Sequence, residues 1–169
     1  MAETVEALTH FGRIFEIIVV DDGNADNTFV NADKAVNLYA PNVRIIRHGH
    51  NRGFGAVFST GMDAVKKDIV SFIAGDGQPS PANYYSQCLP PLDIHDMVVG
   101  KIRNRKDPEL TLFFAWGERL LLSTLFPGVP KIEGPIMFRR SLLDKYDLHY
   151  RNQEDYGWIV IIELTIHVI

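Results

Sequence analysis

Cysteine is almost absent from this sequence: Cys88 is the single thiol in 169 residues. An internal disulfide and any cysteine-based zinc cluster are therefore excluded, as expected of a reducing compartment. Positive charge is also in short supply, with 17 lysines and arginines against 21 aspartates and glutamates and a net charge of −4. No general positive field is available to hold a nucleic acid, so none is expected as a partner. Long uninterrupted apolar runs are missing too. The two most apolar windows, "LTLFFAWGERLLLSTLF" and "WIVIIELTIHVI", carry Glu118 with Arg119 and Glu163 with His167, which argues against a bilayer span but leaves contact with a membrane surface open. The N-terminus "MAETVEALTHFGR" lacks the basic start, apolar stretch and small-residue cleavage site of a secretion signal. A cytoplasmic location is expected, with a peripheral place on the cytoplasmic face of a membrane as the alternative.

What is present is a hydrophobic content of 46% and an aromatic content of 11%, enough to bury a real core in one domain spanning residues 1–169. No repeat or low-complexity tract divides it. Apolar runs alternate with amphipathic stretches. "FEIIVV" reads as a strand, "TFVNADKAVNLYA" as a helix, "VRIIR" at 43–47 as a strand, residues 55–67 as a helix and "DIVSFIA" at 68–74 as a strand, with "HDMVVG" repeating the pattern. This βαβ rhythm predicts a largely parallel sheet whose ligands bind at the carboxyl ends of its strands. From about residue 101 the rhythm changes to a charged loop "KIRNRKDPE", a helix over 110–126 with a very apolar face, a short strand near "IMF" and a helix at "RRSLLDKY". That apolar face reads as core more readily than as a membrane-lying surface, and Trp116 and Trp158 read the same way. The final "YGWIVIIELTIHVI" is ambiguous, since its β-branched residues favour a strand while its length suits a buried helix.

Polar clusters fall at the strand ends. Asp21, Asp22 and Asp26 follow the first strand, where they could bind a cation or simply make turns through bonds to nearby amides. An EF-hand reading fails because Asn27 stands where glycine is needed and a strand precedes the loop. "NRGFGAVFSTG" has Phe58 at the third glycine position of a dinucleotide fingerprint and lacks the Gly-Lys-Ser/Thr of a P-loop. What remains is a glycine-rich turn into a helix whose backbone amides could receive an anion, or glycines that merely permit a tight turn. "AGDGQPSP" places Asp76 and Gln78 after another apolar strand, and oxygen ligands of this kind suit Mg²⁺ or Mn²⁺.

The ordered set "EIIVVDDGNADNT", "NRGFGAVFSTGMDAV", "DIVSFIAGDGQPSP" and "PIMFRRSLL" resembles the family 2 glycosyltransferases of GT-A fold, in particular their dolichol-phosphate-mannose-synthase-like branch. The likeness covers roughly residues 14 to 165. It implies a Rossmann-like α/β/α sandwich around a mostly parallel central sheet, and an activity that moves a sugar from a UDP- or GDP-sugar to a polyprenyl phosphate with inversion. It also assigns roles. Asp21, Asp22 with Gly23, and Asp26 would contact the nucleotide, Asn51, Gly53 and Gly55 would shape the far wall of its pocket, and Asp76 with Gln78 would hold Mg²⁺ or Mn²⁺ against the diphosphate. Arg139 and Arg140 match a basic pair that would meet diphosphate or acceptor phosphate; Arg103 and Arg105 are a second set, which reads more readily as a solvated loop. A polyprenyl phosphate is already anionic and needs no general base; a hydroxyl acceptor would, and Asp155 in "QEDYGW" is then the candidate. Glu154 and Asp155 read equally as a helix N-terminal turn, and Glu163 as a buried, paired carboxylate.

Three departures from the family pattern bear on this. Ala74 stands where a carboxylate usually precedes the one matching Asp76, which would reduce metal affinity. The first, central strand and its nucleotide-binding turn are missing ahead of Phe15, and the chain ends before the usual closing basic segment. The chain thus reads as truncated at both ends. The rival function is a non-catalytic or degraded nucleotide-binding remnant; a Rossmann oxidoreductase is disfavoured by Phe58. A central strand left without its neighbour would favour self-association into a homo-oligomer.

Overall fold

The computed structural model describes residues 1–23, 28–73, 75, 80–100, 116–117, 120–121, 123–125, 127, 134–146 and 159–168, the last helix with side chains from residue 161. The first unit is the expected βαβ. β1 (Ile17–Asp21) and β2 (Val43–Arg47) pair in parallel, with Ile17 opposite Val43 and Asp21 opposite Arg47, and α2 (Thr28–Tyr39) makes the crossover between them. α3 (Phe54–Ala64) and β3 (Ile69–Phe72) continue the alternation. Two helices had escaped the reading of apolar runs: α1 (Ala2–His10), and α4 (Pro81–Cys88), which packs against it. The start of α4 was nevertheless written locally, as Ser80 at the N-cap followed by Pro81 in the first helical position.

β4 (Met97–Val99) and β5 (Ile136–Arg139) complete a second sheet in the order β3-β5-β4, with β5 antiparallel to both neighbours. The parallel pairing expected from the rhythm therefore holds for β1–β2, while β3 and β4 run in the same direction but are separated by the antiparallel β5. A backbone bond from Gly100 N–H to the Pro135 carbonyl, 2.8 Å, closes the far end of the β4–β5 pair. The described strands thus make a mixed α/β arrangement. Among the described residues the two sheets share no ladder, so one edge of β1 and one edge of β3 carry no strand. α5 (Ser141–Lys145) and α6 (Ile159–Val168) follow β5. The ambiguous C-terminal segment is a helix, because burial at Ile161, Leu164 and Thr165 follows helical spacing and overrides β-propensity. Thr165 meets its own polarity there by donating its hydroxyl to the Ile161 carbonyl, 2.7 Å away.

The packing explains how two unlinked sheets cohere. α3 turns Phe58 and Met62 into a core with Val70, Ile136, Phe138, Leu142, Leu143, Ile161 and Leu164. Phe72 of β3 meets Phe54 edge-on at 5.5 Å and Phe58 at 5.6 Å, an aromatic cluster stabilised beyond its buried area. The same helix touches β1, where the Gly61 backbone lies against Val20. On the other face of the second sheet, Ala7, Tyr84, Tyr85, Cys88, Leu92 and Met137 form a separate core. Tyr84 donates its hydroxyl to the Ile136 carbonyl at 2.6 Å and accepts from Ser71 Oγ at 3.0 Å. Burial pushes both the Tyr84 phenol and the Cys88 thiol up, so both stay neutral.

The expectation that the apolar helix over 110–126 buries its face in the core does not hold for the side chains described there. Trp116, Leu120, Leu121 and Leu125 are 61%, 52%, 58% and 60% exposed. The two cores are already filled by α3, α5 and α6 on one side and by α1 and α4 on the other.

Candidate functional site

The site is assembled where β1 and β2 end side by side. Asp21 closes β1 opposite Arg47, and the His48 amide donates to the Asp21 carbonyl at 2.9 Å, so the ladder runs to the last residue of both strands. Beyond it the chain turns on Gly23, whose φ is +71°. A Cβ there would lie 2.8 Å from the His50 backbone, so only glycine lets the β1 loop approach the β2 loop this closely.

Asp22 fastens the two loops together. Its Oδ1 takes a hydrogen bond from His48 Nδ1 at 2.7 Å and one from the Arg52 amide at 3.0 Å, and its Oδ2 takes one from the Gly53 amide at 2.8 Å. Asn51 Oδ1 also accepts from the Gly53 amide, at 3.1 Å, as a side-chain-closed turn. Gly53 has φ +85° and caps α3, and Gly55 is buried in the first turn of that helix. The glycine-rich turn does receive an anion, as its residue types suggest, but the anion is the protein's own carboxylate. Burial pushes the Asp22 carboxyl up, yet the bonds from His48, Arg52 and Gly53 outweigh it and hold the group below its ordinary value of 3.8. On the far side of the ring, His48 Nε2 lies 2.9 Å from Thr60 Oγ1 in α3.

Asp21 is more deeply placed. Its side chain is fully buried, with Arg47 Nε 3.0 Å from Oδ2, and the Arg47 guanidinium lies 4.3 Å over the Phe29 ring of α2. The contact is an ion pair without hydrogen-bond geometry, and among the described residues neither Asp21 carboxylate oxygen has a hydrogen-bond partner. A buried acceptor left in that condition is rare in folded proteins.

The structure thus brings together Asp21, Asp22, Gly23, Asn51, Gly53 and Gly55. Of these, Asp22 and Asn51 have internal hydrogen-bonding duties that leave them less free for direct contact with a nucleotide than the sequence reading assumed. Asp26, Asp76, Gln78, Arg103, Arg105, Glu154, Asp155 and Trp158 lie outside the described residues, and among the described residues no group of three acidic, histidine or cysteine side chains could hold a metal ion. Glu163 is half-buried on α6.

Arg139 and Arg140 are placed by the direction of β5. β5 is antiparallel to β3, with Arg139 opposite Ile69 and Ile136 opposite Phe72. The basic pair therefore sits at the Ile69 end, whereas the chain leaves for Asp76 from the Phe72 end, ~10 Å along the strand. Both arginines are employed locally: Arg139 donates to the Leu92 carbonyl at 2.6 Å and pairs with Asp96 at 3.3 Å, and Arg140 pairs with Asp144 at 3.7 Å. Conversely, His48 and Thr60 were not singled out from the sequence. The available signal was a histidine directly after a strand, beside the glycine-rich turn.

Paired loops at the carboxyl ends of two parallel strands, one acidic and one glycine-rich, define an α/β domain of the kind that binds ligands along a strand-end edge. The glycosyl transferase family 2 model matches residues 1–150. The chain belongs to that family. It is 33% identical over 103 residues to the dodecaprenyl-phosphate galacturonate synthase of Rhizobium johnstonii, covering 60% of this chain and 30% of that protein. It is 25% identical over 107 residues to the undecaprenyl-phosphate 4-deoxy-4-formamido-L-arabinose transferase of Proteus mirabilis, covering 63% of this chain and 33% of that protein. The matched stretch spans about a third of the length of either relative.

Asp22→Asn tests the fastening. It removes the charge and turns an amide N–H₂ toward groups that are themselves donors, at an expected cost of ~1–3 kcal/mol in urea unfolding near neutral pH. Because folding lowers the Asp22 pKa, its stabilisation is complete above the unfolded value and is lost as pH falls through the folded value. The gap between wild type and variant should therefore narrow below about pH 4; a gap independent of pH would show that the charge is not what holds the loops.

Proposed function

We propose that this chain carries part of the donor site of an enzyme that transfers a sugar, with inversion, from a UDP- or GDP-sugar to a polyprenyl phosphate. The observation that carries this reading is the acidic and glycine-rich loops pinned together at one strand-end edge, where open α/β sheets bind their ligands. The two relatives named above, each a polyprenyl-phosphate sugar enzyme by its name, support the acceptor class. In the transfer, the acceptor oxygen bonds to the anomeric carbon as the bond to the diphosphate breaks, and the electron pair leaves with the nucleoside diphosphate. A phosphate acceptor arrives anionic, so no protein base is needed; with a hydroxyl acceptor Asp155 would take the proton. Asp76 and Gln78 would hold Mg²⁺ or Mn²⁺, which when bound neutralises the diphosphate. With Arg139 and Arg140 at the other edge, Arg103 and Arg105 become the candidates for the phosphate groups.

A lipid acceptor also fits the surface. No helix among the described residues is long and apolar enough to cross a membrane, but the exposed Trp116, Leu120, Leu121 and Leu125 follow the basic run "KIRNRK" at 101–106. Basic and apolar side chains in succession suit a peripheral position on an anionic membrane, on its cytoplasmic face. The expected result is co-sedimentation with phosphatidylglycerol vesicles that is lost in the Leu120→Asp, Leu121→Asp double variant. Equal sedimentation of both proteins would remove this role from the helix.

Among the described residues one edge of β1 and one edge of β3 carry no strand, which supports self-association, since open strand edges recruit partners. Light scattering of the purified chain should then give a dimer or larger species, and a monomer across the accessible concentration range would count against it.

Ala74, at a position where a carboxylate would strengthen a metal site, favours a second reading: a remnant that binds nucleotide weakly without catalysis. Calorimetry with UDP-glucose and GDP-mannose, with and without Mn²⁺, separates the two. Metal-dependent binding of either donor by the wild-type chain supports the enzyme reading. A response only in Ala74→Asp supports a degraded site, and none in either folded protein rejects a donor site here.

A further inference from the structure

His48 is nearly fully buried, and both of its ring nitrogens are engaged by groups from different elements: Asp22 beyond β1 at 2.7 Å and Thr60 in α3 at 2.9 Å. Asp22 in turn holds the Arg52 and Gly53 amides. One imidazole therefore stands between the acidic loop, the glycine-rich turn and the helix that follows it. We propose that His48 is a positioning residue for donor binding, acting through its Nδ1–H bond to Asp22 to keep the turn at Arg52 and Gly53 in the shape the donor meets. This rests on the donor-site reading given above.

The donors and acceptors available fix the direction of the Asp22 contact. An ionised Asp22 only accepts, and its Oδ1 also faces the Arg52 amide, so the proton of the ring must sit on Nδ1. Nε2 of the neutral ring then accepts from the Thr60 hydroxyl. The same hydroxyl can rotate to accept from a protonated ring, so the Thr60 contact survives either state, whereas only the Nδ1 bond restrains the carboxylate. The Nδ1 bond is thus the side-chain restraint on Asp22, added to the two that the Arg52 and Gly53 amides supply.

The two nitrogens can be separated by substitution. Asn places an N–H close to the position of Nδ1 and abandons Thr60; Gln reaches toward the position of Nε2 and abandons Asp22; Phe keeps the ring volume and abandons both. Two measurements on the full chain are made on His48→Asn, His48→Gln and His48→Phe: amide hydrogen exchange at Arg52 and Gly53, and calorimetric affinity for UDP-glucose and GDP-mannose with Mn²⁺. The expected result is rescue by Asn alone. His48→Asn keeps exchange and affinity close to wild type, while His48→Gln and His48→Phe speed exchange at both amides and weaken the donor, each about tenfold or more, as loss of a bond to a charged group would. Exchange in α4 and β5 stays unchanged, which distinguishes loop positioning from general destabilisation. Equal behaviour of Asn and Gln overturns the proposal, as does a His48→Phe protein with wild-type exchange and affinity. Should the wild-type chain bind neither donor, the donor-site reading fails and the role in donor binding falls with it; the exchange rates alone then report whether His48 orders the turn.

Discussion

A single carboxylate at the junction of two loops sets the geometry of this end of the molecule. Asp22 accepts from a histidine and two consecutive backbone amides, and each of those donors lies beyond the end of the neighbouring strand. Charge-assisted bonds of this kind are the strong ones, and they are made here by a group only 13% exposed at its side chain, where competition from water is reduced. Gly23 is the steric condition for the bond to form, because any Cβ at that position would collide with the His50 backbone. The charge and the glycine are thus one device: the first attracts the β2 loop and the second lets it arrive.

α3 depends on the same device and transmits it. At its start the helix is tied to the β1 loop through the Gly53 amide, and further along it Thr60 meets His48, just beyond β2. At its other end Arg44 donates to the Ala64 carbonyl, and Glu16 pairs with Arg44 at 3.4 Å while accepting from the Lys66 amide at 2.6 Å. The β1–β2 pair is therefore fastened to one helix by polar groups above and below, and that helix buries its aromatic face against β3. With no ladder joining the two sheets among the described residues, α3 is what couples them. Any change in the Asp22 cluster is accordingly felt at a helix end, where packed cores move as units rather than bending.

Much of this was legible in the amino-acid order, and the limits have physical causes. β2 and α2 were readable because apolar period and turn residues agree there, and the acidic and glycine-rich loops fell at strand ends as the βαβ rhythm required. α1 and α4 were missed because α1 is amphipathic without a strong apolar run and α4 was passed over despite its Ser-Pro start. The pairing of Asp22 with Arg52 and Gly53 joins residues about 30 positions apart, and no local pattern encodes which of several acceptors a turn will choose. Arg139 and Arg140 were placed by motif order, which says nothing about strand direction; the antiparallel entry of β5 carries them to the other edge. The exposed Trp116 and Leu120 show a similar limit, since apolar spacing identifies a face without stating what covers it.

The two acidic residues that end β1 are neighbours in sequence and opposites in circumstance. Successive side chains of a strand point to opposite faces, so at the end of β1 one carboxylate turns toward the β2 loop and the other inward beside Arg47. Asp22 has its bonds supplied by the protein and spends its charge on loop shape. Asp21 is more deeply buried and has Arg47 as its ion-pair partner, the kind of pairing that a buried carboxylate requires. The pair, rather than either aspartate alone, therefore sets the polar balance of this edge: one charge binds the two loops together and the other is held inside against the neighbouring strand.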